Sequence, residues 1–315
     1  MIDLSIIIVN WNAREYLLQC LESIFQTEEI PAEEIIVIDN GSEDGSAAEV
    51  RRRFSHCQMI SNEKNLGFAK ATNQGLRASR GRYLLLLNPD TVVKRGALQR
   101  FILFMDRHPE AGIAGAQLLN PDGSRQNSIA NFPSLATELL NKSLLRFFFP
   151  ERFPGKEKNY SEPIEVESVI GAAMMVRREA LEQVGGLDED YFLFFEETDW
   201  CYRIRKGGWA IYHVPHVEIC HFQGKSAETR KERAKIEYFR SRYQFFRKHR
   251  GRFEWTLLLA GVLIKLSVEL LSLFVGSLAT LFRVRKLRKK LWICLYLLWW
   301  HVKLCPDGMG LKEVR

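Results

Sequence analysis

The sequence is poor in the features that mark stapled or metal-folded proteins. Its 315 residues include six cysteines, at positions 20, 57, 201, 220, 294 and 305. No two of them stand as C-x-x-C, which excludes a zinc ribbon or a disulfide framework and fits a reducing compartment. No internal repeat runs through the chain, so a solenoid or propeller is excluded. The amino-terminal residues Met1, Ile2, Asp3 and Leu4 carry no basic n-region and the first apolar run ends at Val9, so no secretory signal is expected. With 46% hydrophobic and 26% charged residues, the composition also excludes a disordered chain.

Charge is unevenly spread. The formal net charge is +7, yet residues 225–315 hold 21 Lys and Arg against 7 Asp and Glu, leaving 24 against 31 in residues 1–224. The basic tail is also the most apolar part of the chain, and basic, apolar and aromatic residues together favour a membrane surface over a nucleic acid.

Short apolar runs alternate with helical patterns over the first third. Strands are predicted at 4–9, 35–38, 58–60 and 83–87, with helices at 13–25, up to Arg53, and at 68–80. This alternation predicts an α/β fold with a mainly parallel central sheet covered on both faces. Residues 120–165 read as loop-rich. A strand is predicted at 168–176, helices at 179–184 and 198–206, each stopped by a Gly-Gly pair, and a last strand at 209–214. From Lys225 the pattern is helical: a long apolar stretch at 255–282, a basic cluster at 283–290 and a second apolar run at 291–300.

Polar residues follow the strands at Asn10, Asp39 and Asn88. Ligands of open α/β sheets bind outside the carboxyl ends of strands, so three strand ends point to one pocket. In Asp39-Asn40-Gly41-Ser42-Glu43-Asp44-Gly45-Ser46, the Asp can accept from a base or ribose while the turn frees backbone N–H groups; the same residues also make an ordinary capped turn. Asn88-Pro89-Asp90 sets a carboxylate at the end of a buried strand, which suits a hard divalent cation, although N-P-D is good turn chemistry too. Glu196, Glu197 and Asp199 stand beside the aromatic run 191–195. Three carboxylates there repel one another and are partly desolvated, which raises at least one pKa and suits a general base; acidic residues also complement a helix start. His213, His216 and His221 cluster in sequence, and His221 stands nearest a Gly- and Ser-containing loop.

Taken in order, these segments resemble bacterial family 2 glycosyltransferases of the rhamnosyltransferase-like branch, over roughly residues 3–226. The resemblance rests on Ile8-Val9-Asn10-Trp11-Asn12, the 39–46 segment, Asn65-Leu66-Gly67-Phe68-Ala69 with Asn73 and Gly75, and Asn88-Pro89-Asp90. It continues through Gly171-Ala172-Ala173-Met174-Met175-Val176-Arg177-Arg178, Gly185-Gly186-Leu187-Asp188-Glu189, Phe195-Glu196-Glu197-Thr198-Asp199-Trp200-Cys201 and the segment from His221 to Ser226. It implies a GT-A fold in residues 1–225, with a nucleotide-binding half (1–115) and an acceptor-binding half (116–225), followed by a membrane-associating helical region (226–315). It implies an inverting enzyme that uses a nucleotide-sugar, a dTDP- or UDP-sugar such as a rhamnose donor, and a divalent cation, Mg or Mn. Asp39 would bind the base, with Asn10, Asn65, Gly67 and Asn88 lining the nucleotide site. Asp90 would bind the metal in a D-x-D variant whose first Asp is Asn88, and His221 would complete the metal shell. Glu197 would stand where relatives often carry the catalytic Asp, with Glu196 and Asp199 as alternatives.

Two other functions fit such a scaffold less well. A nucleotide-sugar-binding protein needs no base, and a nucleotidyltransferase is expected to carry a Gly-rich basic loop after the first strand, where residues 10–16 contain no Gly and only Arg14. The 255–282 stretch is long enough to cross a bilayer at ~20 residues per span, but Lys265 and Glu269 lie inside it at i, i+4, and basic clusters flank both ends, against the positive-inside rule. Helices lying in the cytoplasmic interface keep both clusters at anionic headgroups. The expectation is a peripheral, monotopic enzyme acting on a lipid-linked glycan, with no nucleic-acid partner and an oligomeric state that the sequence leaves open.

Overall fold

The computed structural model describes residues 2–26, 34–153, 159–222 and 231–311. The strands are β1 (Leu4–Asn10), β2 (Glu34–Asp39), β3 (Gln58–Ser61), β4 (Tyr83–Leu87), β5 (Thr91–Val93), β6 (Ala111–Leu119), β7 (Ile129–Ala130), β8 (Ile164–Glu165), β9 (Ser168–Val169), β10 (Ala173–Arg177) and β11 (Ala210–His221). The helices are α1 (Arg14–Gln26), α2 (Ser46–Arg53), α3 (Phe68–Ala78), α4 (Ala97–Arg107), α5 (Leu135–Leu139), α6 (Lys142–Phe148), α7 (Arg178–Val184), α8 (Glu196–Lys206), α9 (Lys231–His249), α10 (Gly251–Ala279) and α11 (Arg285–Val302). The chain divides into two units. One contains the residues before Pro133 and those from Phe153 through β11; the other joins Pro133–Arg152 to the chain from α9 onward.

The first unit is built on a mixed sheet of strand order β3-β2-β1-β4-β10-β6-β11-β5, with β8 paired to β11. Its strands are mostly parallel. β1 and β4 are mostly apolar, β1 with Ser5 and Asn10 as its polar members, and both are buried along their whole length, as expected for strands covered on both faces. The period of two sorts their side chains: Ile6, Ile8, Leu85 and Leu87 enter one core with α1 and α4, while Ile7, Val9, Leu84 and Leu86 enter the other with α3 and α8. In β6, small residues allow close packing. A Cβ on Gly112 would come within 2.6 Å of Trp209, and one on Gly115 within 2.5 Å of Val169.

Two features of this sheet place the site. β10 is antiparallel to both β4 and β6, so the turn at 170–172 that precedes it arrives at the carboxyl end of β4. The strand predicted at 168–176 is thus broken by this turn into β9 and β10. β11 runs beyond the predicted 209–214 to His221, passing Pro215 at an irregularity in its pairing with β6, where a missing N–H is tolerated. Its last residues pair antiparallel with β5, His221 opposite Thr91.

The second unit is helical. Glu138 and Arg242 form an ion pair at 2.9 Å, both mostly buried. Lys265 Nζ donates to the Glu138 carbonyl oxygen at 2.9 Å, so the ammonium expected to pair along the helix with Glu269 turns to α5. α10 and α11 run antiparallel: Cys294 Sγ lies 3.4 Å from the Leu266 carbonyl oxygen, and Leu287 lies next to Gly276. The chain after α11 is held on α9, where Arg240 donates to the Pro306 and Asp307 carbonyls and Glu237 accepts from the Leu311 N–H.

Gly75 shows how tightly α3 lies on the sheet. A Cβ there would sit 2.5 Å from Ile7 Cγ2 and 2.8 Å from Ile38 Cδ1. In an open helix Gly→Ala stabilises by about 1 kcal/mol; here overpacking, at about 1–3 kcal/mol, outweighs it. Gly75→Ala is expected to lower the denaturant midpoint, and a midpoint raised above wild type would contradict this packing.

Candidate active site

Parallel pairing of β1 and β2 sets Asn10 opposite Asp39 at the strand ends. Both are buried. Asn10 Nδ2 donates to Ser46 Oγ (2.8 Å), Ser42 Oγ (3.2 Å) and Asp39 Oδ1 (3.4 Å). The Ser46 hydroxyl and the Ser42 N–H donate to the Asp39 carboxylate at 3.3 and 3.4 Å. Asn10 Oδ1 is enclosed and has no hydrogen-bond partner among the described residues. The ends of β1 and β2 therefore combine an amide acceptor without a partner among the described residues with a carboxylate, groups that match an N–H donor.

The neighbouring wall is a loop clamped by Asn40. Its Nδ2 donates to Asn65 Oδ1 (2.9 Å) and the Gly67 carbonyl (3.3 Å), and its Oδ1 accepts from the Leu66 N–H and Asn62 Nδ2. Asn65 Oδ1 also accepts from the Gly67 N–H at 2.9 Å. Gly67 has φ +89°, and a Cβ on it would meet Phe192 at 2.8 Å, so this position needs glycine for both conformation and space. The same loop is tied to the aromatic run by the bond from the Phe68 N–H to the Phe192 carbonyl.

At the end of β4, the Asn88 N–H donates to the Ala172 carbonyl at 2.9 Å, and the Asn88 carbonyl accepts from the Thr91 hydroxyl. This turn presents Asp90, whose carbonyl accepts from the Phe222 N–H. Asp90 Oδ1 lies 3.4 Å from His221 Nε2, and both residues are buried. Gln126 fixes the imidazole. Its Nε2 donates to the His221 carbonyl and to Asn120 Oδ1, which leaves its Oε1 facing His221 Nδ1 at 3.1 Å. With Nδ1 turned to Gln126, Nε2 is the ring nitrogen that faces Asp90. Two acceptors held this close fit a cation between them, and a carboxylate with an imidazole suits a divalent ion. Among the described residues no group of three His, Cys, Asp or Glu that could hold a metal ion occurs. His213 is buried higher on β11, where burial and then Arg125 push its pKa down to about 4, and His216 is exposed. The sequence segment beyond Phe222 (223–226) lies outside the described residues.

The three carboxylates of α8 differ sharply. The helix begins at Glu196, two residues earlier than predicted, after Phe194 and Phe195 in the left-handed region (φ 70° and 68°). This conformation is costly for bulky residues and held by the surroundings. Asp199 is fully buried and bonded to Arg203 Nε at 2.7 Å, with the Tyr191 hydroxyl at 3.5 Å; Arg203 is itself anchored to the Val184 and Gly186 carbonyls. Asp199 thus has a structural partner. Glu196 is buried. Glu197 packs over Gly171, whose Cβ would lie 3.3 Å from that of Glu197, beside the Ala172 carbonyl that holds Asn88. Its residue surface is partly open, while its Oε2 is enclosed without a hydrogen-bond partner among the described residues. Burial raises the Glu197 pKa, opposed by the N–H groups of Glu197 and Thr198.

The chain matches the family model described as "Glycosyl transferase family 2" over residues 5–185. It belongs to glycosyltransferase family 2. It is 28% identical over 276 residues to the N-acetylglucosaminyl-diphospho-decaprenol L-rhamnosyltransferase of Mycobacterium tuberculosis, covering 81% of this chain and 89% of that protein. It is 25% identical to the rhamnosyltransferase WbbL of Escherichia coli, over 69% of this chain and 82% of WbbL. In three dimensions it resembles the mannosyltransferase PcManGT of Pyrobaculum calidifontis, solved with GDP-Man and Mn2+, at TM-score 0.58 and 17% identity over 95% of this chain and 86% of that one. The fold of this family 2 glycosyltransferase is therefore GT-A, as the resemblance implied. Gln126 and Arg203 shape its site without having been singled out in the sequence, and Asn40 stood in the 39–46 segment without a role of its own; Arg203 carries a local signal, four residues after Asp199.

The two buried carboxylates differ in stability. Glu197 is favoured in its protonated form by folding, so its contribution falls as pH rises from the ordinary glutamate range through the raised native value. Glu197→Gln is expected to melt at or above wild type at pH 7. Asp199→Asn strands Arg203 and is expected to lose roughly 3–5 kcal/mol. Equal losses in calorimetry would contradict this division.

Proposed function

We propose that this family 2 enzyme transfers a sugar, with inversion, from a dTDP- or UDP-linked donor to a lipid-linked glycan during cell-surface polysaccharide synthesis. Rhamnose is the sugar the named relatives favour. The observation that supports this reading is that Asp90 faces His221 at 3.4 Å after β4, while Asn88 bonds to Ala172 and Glu197 packs over the adjacent Gly171.

Each residue then has a task. The Asn10 Oδ1 and Asp39 acceptors suit the ring N–H of a uracil or thymine base, the loop at Asn65 and Gly67 walls the nucleoside, and Asn88 lies between base site and diphosphate. Asp90 and His221 Nε2 would hold a divalent cation, Mg or Mn, which when bound supplies positive charge to the departing diphosphate. Glu197 accepts the proton of the acceptor hydroxyl as its oxygen bonds to the anomeric carbon; the bond from that carbon to the diphosphate oxygen breaks, and the nucleoside diphosphate leaves with the electron pair. A buried carboxylate with a raised pKa suits this role. Glu196 and Asp199 are the weaker candidates, Asp199 because Arg203 already engages it.

Membrane attachment at the cytoplasmic face, peripheral or monotopic, completes the reading. α10 is long and apolar enough to cross a membrane, but its Lys265-bearing face is turned to α5, and α11 returns the chain to α9. The apolar part of α11, 291–300, spans ~15 Å at 1.5 Å per residue, half of the ~30 Å hydrocarbon core. Its first turns carry Arg285, Lys286, Arg288, Lys289 and Lys290, all exposed, which suits anionic headgroups rather than a buried hairpin tip.

Glu197→Gln is expected to lower turnover ~10²–10⁴-fold with donor affinity unchanged. In the wild type, log kcat/KM is expected to rise with pH through a value above the ordinary glutamate range, because only the ionised base accepts a proton. A flat profile, or the larger loss in Glu196→Gln, would reassign the base. Asp90→Ala is expected to abolish turnover and to weaken Mn2+ binding measured by electron paramagnetic resonance of the free ion. Wild-type Mn2+ affinity in that variant would overturn the metal assignment.

A further inference from the structure

We propose that α6 and the Phe149 that follows it form a second membrane-inserting element, drawn from chain that lies inside the transferase sequence rather than from the carboxyl-terminal helices. This rests on the membrane-attached reading above and extends it to a part of the chain that the sequence assigns to the acceptor-binding half.

The Pro133–Arg152 segment clusters with the helical second unit and is rooted there at several points. Arg250 Nε donates to the Pro133 carbonyl (3.0 Å), Glu138 pairs with Arg242, Lys265 caps the Glu138 carbonyl, and Leu139 lies against Gly261 closely enough to bar a Cβ. From this base α6 projects an inverted amphipathic pattern. Leu145 is its buried contact, whereas Leu144, Phe147, Phe148 and Phe149 are exposed, Phe147 to 78%. Three consecutive exposed phenyl groups on a firmly rooted segment are not a solvated surface, since exposed apolar residues scattered singly are the norm and contiguous patches mark interaction sites.

Charge decides what covers the patch. The unit that carries it is strongly basic, and residues 283–290 of its hairpin expose Arg283, Arg285, Lys286, Arg288, Lys289 and Lys290. A second copy would bring like charges together; an anionic lipid leaflet takes both the phenyl groups and the cations. The two elements enter the chain separately, one between β7 and β8 and the other after β11, and belong to one unit.

The test uses full-length protein and vesicles of phosphatidylcholine with or without phosphatidylglycerol, read by co-sedimentation. The variant Phe147→Ser/Phe148→Ser/Phe149→Ser is expected to bind the phosphatidylglycerol vesicles at least about tenfold more weakly than wild type. Its melting temperature and its transfer to a short-chain, water-soluble acceptor are expected to stay unchanged. Should the triple variant melt early, Phe148→Asp alone is expected to weaken binding in the same way. Undiminished vesicle affinity would overturn the proposal, and a shift from dimer to monomer with vesicle affinity intact would assign the patch to a second copy instead. A wild-type protein that ignores both vesicles would overturn the membrane reading as a whole, while the Asp90 and Glu197 variants test the transferase reading independently.

Discussion

β10 runs against its neighbours, and the chemistry of the first unit depends on that reversal. A parallel strand in its place would begin at the opposite edge of the sheet and carry Gly171 and Ala172 away from Asn88. Because β10 is antiparallel to β4, the turn before it arrives at the edge where β1, β2 and β4 end. The Ala172 carbonyl then fixes the Asn88–Asp90 turn, and Gly171 leaves room for the Glu197 side chain. The same economy brings in His221: β5 follows Asp90 directly and pairs antiparallel with the end of β11, so a carboxylate and an imidazole far apart in sequence become neighbours through backbone hydrogen bonds.

Side chains at this edge fall into two kinds. Asp199, Asn40 and Gln126 have their polar atoms engaged by protein partners and hold geometry. Asn10 Oδ1 and Glu197 Oε2 are enclosed without such partners among the described residues, and the pair of acceptors at Asp90 and His221 face each other. Unfilled buried acceptors cost stability. They are tolerated where a ligand supplies the missing donor, proton or cation, but the Ser277 hydroxyl of α10 is enclosed in the same way, so it is their position at this edge that singles out Asn10 and Glu197.

Much of this was legible in the sequence. β1, β2 and β4 have apolar centres, at 6–9, 35–38 and 84–87, and the polar residues Asn10, Asp39 and Asn88 that follow those centres fall on one edge. β6 was not foreseen, because its Gly112, Gly115 and alanines serve close packing against Trp209 and Val169 and have low strand propensity. The reach of β11 to His221 was hidden by Pro215, which reads as a strand end unless a pairing irregularity accommodates it. The carboxylates of α8 were recognised together but could not be separated, since sequence does not reveal that Arg203 turns back to Asp199 while Glu197 lies over a glycine. Nor does periodicity reveal that Pro133–Arg152 joins the helical unit, because its hold is a tertiary ion pair, Glu138 with Arg242.

Everything proposed for catalysis requires that the Asp90–His221 pair and the Asn10–Asp39 pocket serve one bound donor. A crystal structure of the enzyme with Mn2+ and a nucleoside diphosphate, with anomalous scattering recorded at the manganese edge, tests this most directly. One anomalous peak is expected beside the Asp90 carboxylate and His221 Nε2, with the base seated against Asp39. A peak elsewhere, or a base bound away from Asp39 and Asn10, would contradict it.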